Sequence, residues 1–321
     1  MPVRNNLTTT KLHTPHHPAP YPPAPPAPPA RDCRTVRSAE GVELAFYHWP
    51  APRAPRATVA LVHGLAEHAG RYEALARRLN FADIELVAVD LRGHGHSPGR
   101  RTWVARFDEY LSDAEALLSA ACSLDIRAGV KCPHPPLFLM GHSMGGAIAA
   151  LFAIERLDDF ARRKRPIAGL ILSSPALAPG RDVPRWMIAA SRLISRAWPG
   201  FPTMKVDPRL LARDIAVVEE NRRDPLVHHG SVPARTGAEI LAAMERIERG
   251  RAALRVPVLV YHGSDDKLTE PEGSRIFAAH AGSPDRTLTI YEGSYHETMN
   301  DLDRERAVDA LIDWIDERSP L

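Results

Sequence analysis

The sequence predicts an α/β fold in which helices flank both faces of a mostly parallel central sheet. Two observations support this prediction. From Val36 onward, short runs of apolar and β-branched residues recur along the chain, and such runs are typical of strands that are buried on both faces. Segments with helical periodicity separate the runs, and this alternation is typical of a parallel sheet that is covered by helices.

The clearest buried strand is predicted over 57–62, where the sequence is Ala-Thr-Val-Ala-Leu-Val. Similar buried strands are predicted over 85–89, 137–140, 169–172, 258–261 and 288–291. The segment 41–49 alternates only partly and is predicted to be an antiparallel edge strand. Helices are predicted over about 71–80, 107–128, 145–163, 273–281 and 302–317.

One stretch, from about 176 to 245, interrupts the alternation because it contains no clear buried strand. A helical insertion between two strands predicts a lid over the sheet. The lid begins with an apolar helical segment over 182–198, which contains Trp186, Met187, Ile188, Leu193, Ile194 and Trp198.

The first 31 residues differ in composition from the rest and contain ten of the thirty prolines. Proline fixes φ and removes an amide donor, so the segment favours an extended polyproline conformation. It also has too few apolar side chains to fold alone. We therefore predict a disordered tail over 1–31, followed by one domain over 32–321.

Charge and cysteine content argue against several classes of function. The chain has 41 basic and 39 acidic residues, a net charge of +2, and this balance does not predict nucleic acid as a partner. Cys33, Cys122 and Cys132 have no CxxC spacing, so we expect reduced thiols in a cytoplasmic protein, without a disulfide framework or a zinc site. No apolar run is long enough to predict a membrane span.

The strongest chemical signal is Gly141-His142-Ser143-Met144-Gly145-Gly146. It follows a predicted buried strand and precedes a predicted alanine-rich helix, which is the setting of a nucleophile elbow. The sharp turn requires small neighbours, and it presents the serine hydroxyl above the sheet at the positive end of a helix. We therefore predict Ser143 as a nucleophile.

A serine nucleophile needs a base, which in turn needs an orienting acid. In this strand–turn–helix setting the acid and the histidine follow the serine in that order, each after a strand. His296 follows the last predicted strand and is the predicted base. Asp265 and Asp266 both follow the strand 258–261, and position alone leaves both as candidates for the acid.

The oxyanion of an acyl-transfer intermediate needs two backbone N–H groups. We assign one to Met144, which follows the serine, and the other to Leu65, in the turn after the strand 57–62. His94 and His96 have the i, i+2 spacing of two metal ligands. No carboxylate or cysteine cluster accompanies them, so we predict a structural turn at 90–97, no metal site and no cofactor.

Taken together, these motifs resemble the monoacylglycerol lipase and lysophospholipase family of serine hydrolases, which has the α/β-hydrolase fold. The resemblance extends from about residue 36 to 317. The matching segments are 63–68, 70–72, 90–97, 141–146, 224–226, 262–266 and 291–296.

The resemblance bears on two residues, Asp266 and Ala66. In the family the acid lies three residues after the glycine that ends its strand, which implies Asp266 rather than Asp265 as the triad acid. The first turn of the family usually has the sequence HGxGEH, whereas Ala66 replaces the second glycine here. The extra methyl group lies beside the predicted oxyanion turn and bears on the shape of the acyl pocket.

The resemblance implies a carboxylic ester hydrolase that forms an acyl-enzyme and takes a small lipid ester with one acyl chain, either a monoacylglycerol or a lysophospholipid. The nearest alternative is a general carboxylesterase for small soluble esters. An amide hydrolase such as an aminopeptidase would need a carboxylate for the free amine. A binding module without activity would not need the serine, acid and histidine set.

The apolar helix with Trp186 and Trp198 fits a lid that lines an acyl tunnel or makes peripheral contact with a membrane. The alternative is that its apolar face packs inside the lid itself. The sequence does not predict an oligomeric state.

Overall fold

A computed structural model of the protein describes residues 34–127, 134–180 and 184–319. The proline-rich segment 1–31 lies outside these residues, as do Cys33 and Cys132. Within them the sheet has eight strands: β1 (Arg34–Arg37), β2 (Glu43–Trp49), β3 (Ala57–Val62), β4 (Ile84–Val89), β5 (Leu137–His142), β6 (Gly169–Ser173), β7 (Val258–Gly263) and β8 (Arg286–Tyr291).

The strand order in the sheet is β1-β2-β4-β3-β5-β6-β7-β8. The pairs β1–β2 and β2–β4 are antiparallel, and the other neighbouring pairs are parallel. The predicted α/β architecture with a mostly parallel sheet is confirmed. Because β3, β5, β6, β7 and β8 run in the same direction, their carboxyl ends meet at one edge of the sheet, where open α/β sheets bind ligands.

The described helices are α1 (Glu73–Phe81), α2 (Asp108–Arg127), α3 (Met144–Glu155), α4 (Leu157–Arg163), α5 (Arg185–Ala197), α6 (Ile215–Arg223), α7 (Ala234–Gly250), α8 (Pro271–His280) and α9 (Arg304–Asp316). Both faces of the sheet are covered, one by α2 and α3 and the other by α1 and α9. The central strand β3 shows why two apolar layers form. Successive strand residues point to opposite faces, so Ala60 and Val62 join the core under α2 and α3, whereas Val59 and Leu61 join the core under α1 and α9.

The structure differs from the predicted elements at the sheet margins. The strand β2 is antiparallel as expected, but it is not an edge strand, because β1 pairs with its outer side. The short β1 is mostly exposed and has no alternating apolar pattern that would predict it. Conversely, β8 was expected to be buried on both faces. It lies at the opposite edge of the sheet, and its side chains are largely half-buried or exposed.

The helix predicted over 145–163 is two helices, α3 and α4, which are separated at Arg156. This residue has φ −125° and ψ −13°, outside the helical range. Its guanidinium group reaches Asp108, the first residue of α2, at 3.3 Å. The change of direction therefore coincides with a polar contact between helices, which apolar periodicity does not show.

Three helices, α5, α6 and α7, lie between β6 and β7, together with short 3₁₀ turns. The described part of this stretch contains no strand, only an isolated bridge between Pro202 and Pro233. None of the described helices is both long and apolar enough to cross a lipid bilayer.

Candidate active site

Ser143 lies in the sharp turn between β5 and α3. Its φ of 54° and ψ of −120° are strained for a residue with a side chain. Neighbouring glycines make this turn possible, because a Cβ atom at Gly145 would lie 2.1 Å from the carbonyl oxygen of Val62. The strain raises the serine above the carboxyl edge of the sheet at the N-terminus of α3, where the helix dipole favours negative charge.

His296 lies in the loop after β8 and donates from Nδ1 to Oδ2 of Asp266 at 2.7 Å. Because an ionised carboxylate only accepts hydrogen bonds, the proton of the neutral ring is on Nδ1. Nε2 is therefore left with a lone pair. Ser143 and His296 line the same cavity, so the structure brings together the serine, acid and histidine that the sequence predicted.

The electrostatics of this pair favour an ionised acid and a basic histidine. Burial alone would raise the pKa of Asp266, but the positive charge of His296 and hydrogen bonds from His262 and His296 lower that pKa well below its ordinary value. Burial alone would lower the pKa of His296, but the charge and hydrogen bond of Asp266 raise it overall. Asp266 is thus an anion at neutral pH.

Asp265, the other candidate for the acid, is exposed, whereas Asp266 is 4% exposed. The backbone N–H of Asp265 donates to the carbonyl of Ser294 at 3.1 Å. The spacing that the family resemblance implied therefore corresponds to the aspartate that contacts His296.

The turn after β3 contains Gly64, Leu65 and Ala66, and all three line the cavity with Met144. Met144 is the first residue of α3, and the N–H groups of the first turn of a helix have no acceptor within the helix. Its N–H can therefore donate to a ligand. Glu67 holds the turn from behind, because its Oε1 accepts from the N–H of Gly64 at 2.6 Å. The two residues expected to provide the oxyanion amides thus lie at the same cavity as Ser143.

Ala66 has a φ of 67°, in the left-handed region that favours glycine. Alanine in place of the family's second glycine thus puts a Cβ atom on a residue whose backbone conformation disfavours side chains. The residue is buried and its carbonyl accepts from the N–H of His228 at 2.8 Å. This contact connects the first turn with the stretch between β6 and β7.

A buried ionic cluster next to His296 was not predicted from the sequence. Arg71 contacts Glu67 and Glu297, each at 2.7 Å, and all three side chains line the cavity. Burial opposes ionisation of Glu67, but the charge of Arg71 outweighs it and lowers the pKa of Glu67 to about 2. The i, i+4 spacing of Glu67 and Arg71 was visible in the sequence, but the second carboxylate that pairs with Arg71, Glu297, lies 226 residues further along the chain.

His142, at the elbow, packs against His296 with ring centroids 4.7 Å apart. Burial first, and then the charge of His296, lower the pKa of His142 to about 4, so it is neutral at physiological pH. Its Nδ1 lies 3.0 Å from the hydroxyl of Ser173. His142 thus lies beside the base without adding positive charge to it.

The motif at 90–97 is a turn held by Asp90, which accepts from the N–H groups of Ala69 and His96, each at 2.8 Å. Close packing requires glycine at position 95, because a Cβ there would lie 2.1 Å from Oδ2 of Asp90. His94 is buried and its Nδ1 lies 3.0 Å from the carbonyl oxygen of Arg92. Among the described residues, no group of three or more histidine, cysteine, aspartate or glutamate side chains is arranged to hold a metal ion.

The cavity in front of Ser143 has a volume of about 650 Å³. Most of its apolar lining comes from the stretch between β6 and β7: Trp186, Ile188, Ile194, Met204, Val206, Leu211, Val227, Val232, Ile240, Leu241 and Met244. Trp186, Ala190 and Ile194 recur every fourth residue, so one face of α5 borders the cavity. Leu193 is not part of that face and is 68% exposed.

The stretch between β6 and β7 is connected to the sheet side of the site by polar contacts near α6. His68, in the first turn, lies 2.8 Å from Asp224. Arg213 binds Asp301, in the loop that carries His296, at 2.9 Å. Asp224 belongs to a motif that the sequence analysis noted, but its partner His68 is 156 residues away, so sequence alone does not reveal the contact.

The family model described as "Serine aminopeptidase, S33" matches residues 53–303. The chain belongs to this family of α/β-hydrolases. The match covers most of the chain and includes each residue of the candidate site. The fold predicted from the sequence is thereby confirmed.

Within the S33 family, the chain is similar to proteins named as monoacylglycerol lipases. It is 33% identical to the monoacylglycerol lipase of Mycolicibacterium smegmatis over 277 residues, which cover 86% of this chain and 93% of that protein. It is 35% identical to human monoglyceride lipase over 265 residues, 82% of this chain and 83% of the human one.

The crystal structure of the monoacylglycerol lipase from Paleococcus ferrophilus superimposes on this chain with a TM-score of 0.72 at 33% identity. The alignment covers 86% of this chain and 99% of that one. The resemblance to monoacylglycerol lipases that the motifs indicated is confirmed at the level of sequence and fold.

Proposed function

We propose that the protein is a serine ester hydrolase that cleaves monoacyl lipids, above all monoacylglycerols, through an acyl-enzyme intermediate. One observation carries the proposal: Ser143 and His296, which is hydrogen-bonded to Asp266, border a largely apolar cavity of about 650 Å³. The similarity to proteins named monoacylglycerol lipases supports the same class of substrate.

In the proposed reaction, Oγ of Ser143 attacks the ester carbonyl carbon while Nε2 of His296 accepts the hydroxyl proton. The tetrahedral intermediate collapses when the bond to the leaving alcohol breaks, and His296 protonates that alcohol. Water then attacks the acyl-enzyme with His296 again as the base. The bond between the acyl carbon and Oγ breaks, His296 returns the proton to Ser143, and the fatty acid leaves. Asp266 holds the proton-bearing Nδ1 of His296 and stabilises the imidazolium through its charge.

The negative charge of each tetrahedral intermediate develops on the former carbonyl oxygen. We assign the backbone N–H groups of Leu65 and Met144 to that oxygen, because they belong to the two turns that meet beside Ser143. The hydrogen bond from the N–H of Gly64 to the carboxylate of Glu67 keeps the turn after β3 in place. Neither step requires a metal or an organic cofactor.

The size and lining of the cavity favour a long acyl chain over a small soluble ester. Each methylene that leaves water contributes roughly 0.8 kcal/mol, and an acetyl group would leave most of the apolar wall unused. An aminopeptidase reaction is less well supported. Glu67 and Glu297 border the cavity and have a suitable charge for an amine, but both are already paired with Arg71.

The test combines one variant with a panel of substrates. We expect Ser143→Ala to lower ester hydrolysis by about 10⁴-fold or more, because the three residues act as a unit, without a change in melting temperature beyond a few degrees. The panel compares monooleoylglycerol, oleoyl lysophosphatidylcholine, p-nitrophenyl acetate and an aminoacyl p-nitroanilide. Near-full activity of the variant would refute the nucleophile assignment, and the highest kcat/KM on the acetate would favour a general carboxylesterase.

We also propose that α5 and the segments around it act as a lid that contacts lipid surfaces. Trp186, Leu193 and Trp198 are 69%, 68% and 65% exposed, and Arg192 and Arg196 on the same helix are exposed too. Exposed apolar groups interleaved with basic ones are suited to a membrane interface.

Location of the protein in the cytoplasm stays a prediction from the cysteine content.

Sedimentation with lipid vesicles tests the surface contact. We expect the protein to bind vesicles that contain anionic lipid, and Leu193→Ser combined with Trp198→Ser to weaken binding severalfold while hydrolysis of p-nitrophenyl acetate is retained. Equal binding of the variant and the wild-type protein would rule out this surface as the contact.

A further inference from the structure

Asp266 accepts more hydrogen bonds than its partnership with His296 requires. Its Oδ2 contacts Nδ1 of His296 at 2.7 Å, Nε2 of His262 at 3.0 Å and the hydroxyl of Thr269 at 2.7 Å. Its Oδ1 accepts from the backbone N–H groups of Leu268 at 2.7 Å and Thr269 at 3.1 Å. A carboxylate has about four lone-pair positions, so its accepting capacity is fully used.

His262 is the second histidine on this carboxylate. It lies near the end of β7, and its side chain is fully buried. Because the carboxylate can only accept, Nε2 of His262 carries a proton and donates. Nδ1 lies within hydrogen-bond distance of the hydroxyl of Ser274, 2.8 Å away on α8. The ring is thus fixed at both nitrogens, between the helix α8 and the acid.

The proposed reaction uses only His296 for proton transfer, which leaves His262 without a chemical step. An aspartate side chain can rotate about its last torsion, and rotation would turn Oδ2 away from His296. Oδ1 is held by the backbone amides of Leu268 and Thr269, two and three residues after Asp266 in the same loop. Besides His296, two side chains contact Oδ2. The hydroxyl of Thr269 also lies 3.0 Å from the carbonyl oxygen of Ser174 and 3.1 Å from Nε2 of His262. His262 is the contact that ties Oδ2 to β7 and, through Ser274, to α8.

We infer that His262, supported by Ser274, is a positioning residue that holds the carboxylate of Asp266 in the orientation that serves His296. The inference rests on the proposed function, because it assumes that Asp266 is the triad acid. It concerns a residue that does not contact the reacting atoms, and it acts only through Asp266.

The charged and titratable groups around His296 set the background for a test by pH. His142 packs on it from the elbow, Glu297 follows it in the chain, and Glu67 with Arg71 lies across the cavity wall. None of these changes when position 262 is altered. If Asp266 turns away, the imidazolium of His296 loses stabilisation, so the acid limb of the kcat/KM profile moves to lower pH.

The experiment compares His262→Leu with His262→Gln in the full chain. Leucine fills the space without a donor, whereas the glutamine amide retains an N–H. With p-nitrophenyl acetate, we expect the leucine variant to lose about 10- to 100-fold in kcat with little change in KM, less than the loss expected when Asp266 itself is replaced. The acid limb of its kcat/KM profile should move to lower pH by about half a pH unit. Glutamine should recover most of kcat and restore the limb.

His48→Leu is the matched control. Nε2 of His48 contacts Oε2 of Glu85 at the same 3.0 Å, but this pair lies on β2 and β4 and does not line the cavity. This variant should retain the wild-type pH profile even if its melting temperature falls. Stoichiometric labelling with a fluorophosphonate corrects each kcat for the fraction of folded protein.

Three results would overturn the inference: a leucine variant with wild-type kcat and pH profile, a loss explained by the folded fraction alone, or an acid limb that moves upward. Asp266→Asn is measured in parallel. If it too retains activity, the triad assignment fails. If it is inactive while His262→Leu is unaffected, only the role of His262 is refuted.

Discussion

Two walls of the same cavity are held in place by different forces. The wall with His296 and Asp266 is buried and fixed by directional polar contacts: Glu297 binds Arg71, and the N–H of Tyr295 donates to Asp301 at 3.0 Å. The opposite wall, α5, borders the cavity with apolar side chains. Much of that helix is exposed, including Trp186 on the face that borders the cavity.

The difference matches the requirements of the two walls. Proton transfer tolerates little displacement, and hydrogen bonds depend steeply on distance and angle. An acyl chain can adopt many conformations, and apolar contacts stabilise it without a preferred direction. Changes at the first wall should therefore affect turnover of every substrate, whereas changes at α5 should depend on acyl length.

The largest effect should come from the acid. We expect Asp266→Asn to lower kcat/KM by about 10³- to 10⁴-fold on long and short esters alike, because His296 loses its orienting and charge-stabilising partner. The matched variant, Asp265→Asn, changes an exposed carboxylate and should cost less than about threefold. Steady-state kinetics on both substrates provide the measurement, and a larger loss at Asp265 would reverse the assignment.

The buried ionic cluster should dominate stability. Arg71→Met leaves Glu67 and Glu297 buried without their counter-ion and should lower the free energy of unfolding by about 3–5 kcal/mol at neutral pH. Arg77→Met breaks the i, i+4 pair with Glu73 on the surface and should cost less than about 1 kcal/mol. Urea unfolding measures both, and equal losses would contradict the distinction between buried and exposed pairs.

The loss of stability in Arg71→Met should also depend on pH. The folded pKa of Glu67 is lowered from 4.5 to about 2, so its ionic contribution is fully present above about pH 4.5 and is lost as pH falls towards 2. In Arg71→Met, burial without a counter-ion raises the pKa values of Glu67 and Glu297. These carboxylates therefore take up protons already above about pH 4.5, and the variant regains part of its lost stability there. The stability gap between wild type and variant should therefore narrow as pH is lowered from 7 to 4, and a constant gap would mean that packing alone explains the loss.

A smaller effect, and one selective for acyl length, is expected at α5. Ile194→Ser removes about three apolar carbons from the cavity wall and should lower kcat/KM for monooleoylglycerol roughly tenfold, with less than a twofold change on p-nitrophenyl acetate. Leu193→Ser alters the neighbouring, outward-facing residue and should preserve the ratio of the two activities in detergent-dispersed substrate. Parallel losses on both substrates would mean that Ile194 stabilises the lid instead of contacting the acyl chain.

The smallest expected effect is at the first turn. Ala66→Gly removes a Cβ from a residue with φ 67° and should stabilise the fold by about 0.5–1 kcal/mol after the added flexibility of glycine is subtracted. Ala189→Gly, at an exposed position within α5, should destabilise by about 1 kcal/mol. Thermal unfolding should show shifts of opposite sign, and a lower melting temperature for Ala66→Gly would show that the methyl contributes packing that exceeds its strain.

Much of the fold and the candidate site could be predicted because the relevant signals are local. The run 57–62 is apolar at every position, and all six residues of β3 are buried. The elbow around Ser143 is a contiguous motif whose glycines are required by contacts within the turn. His296 was singled out by its position after the last strand. At the margins, β1 was missed because an exposed strand has no apolar pattern, whereas β8 was predicted as a strand but is less buried than expected because it lies at the edge of the sheet.

The sequence by itself determined the alternation of buried strands and helices from β2 onward, the elbow that exposes Ser143, and the family to which the motifs point. These follow from backbone geometry and apolar periodicity within a few residues. Only the tertiary structure decided that Asp266 lies between His296 and His262, that Arg71 joins Glu67 to Glu297, and that Leu193 faces outward. Such contacts depend on how separate elements pack, because burial, charge and hydrogen bonding in the site are set by neighbours in space and not in the chain.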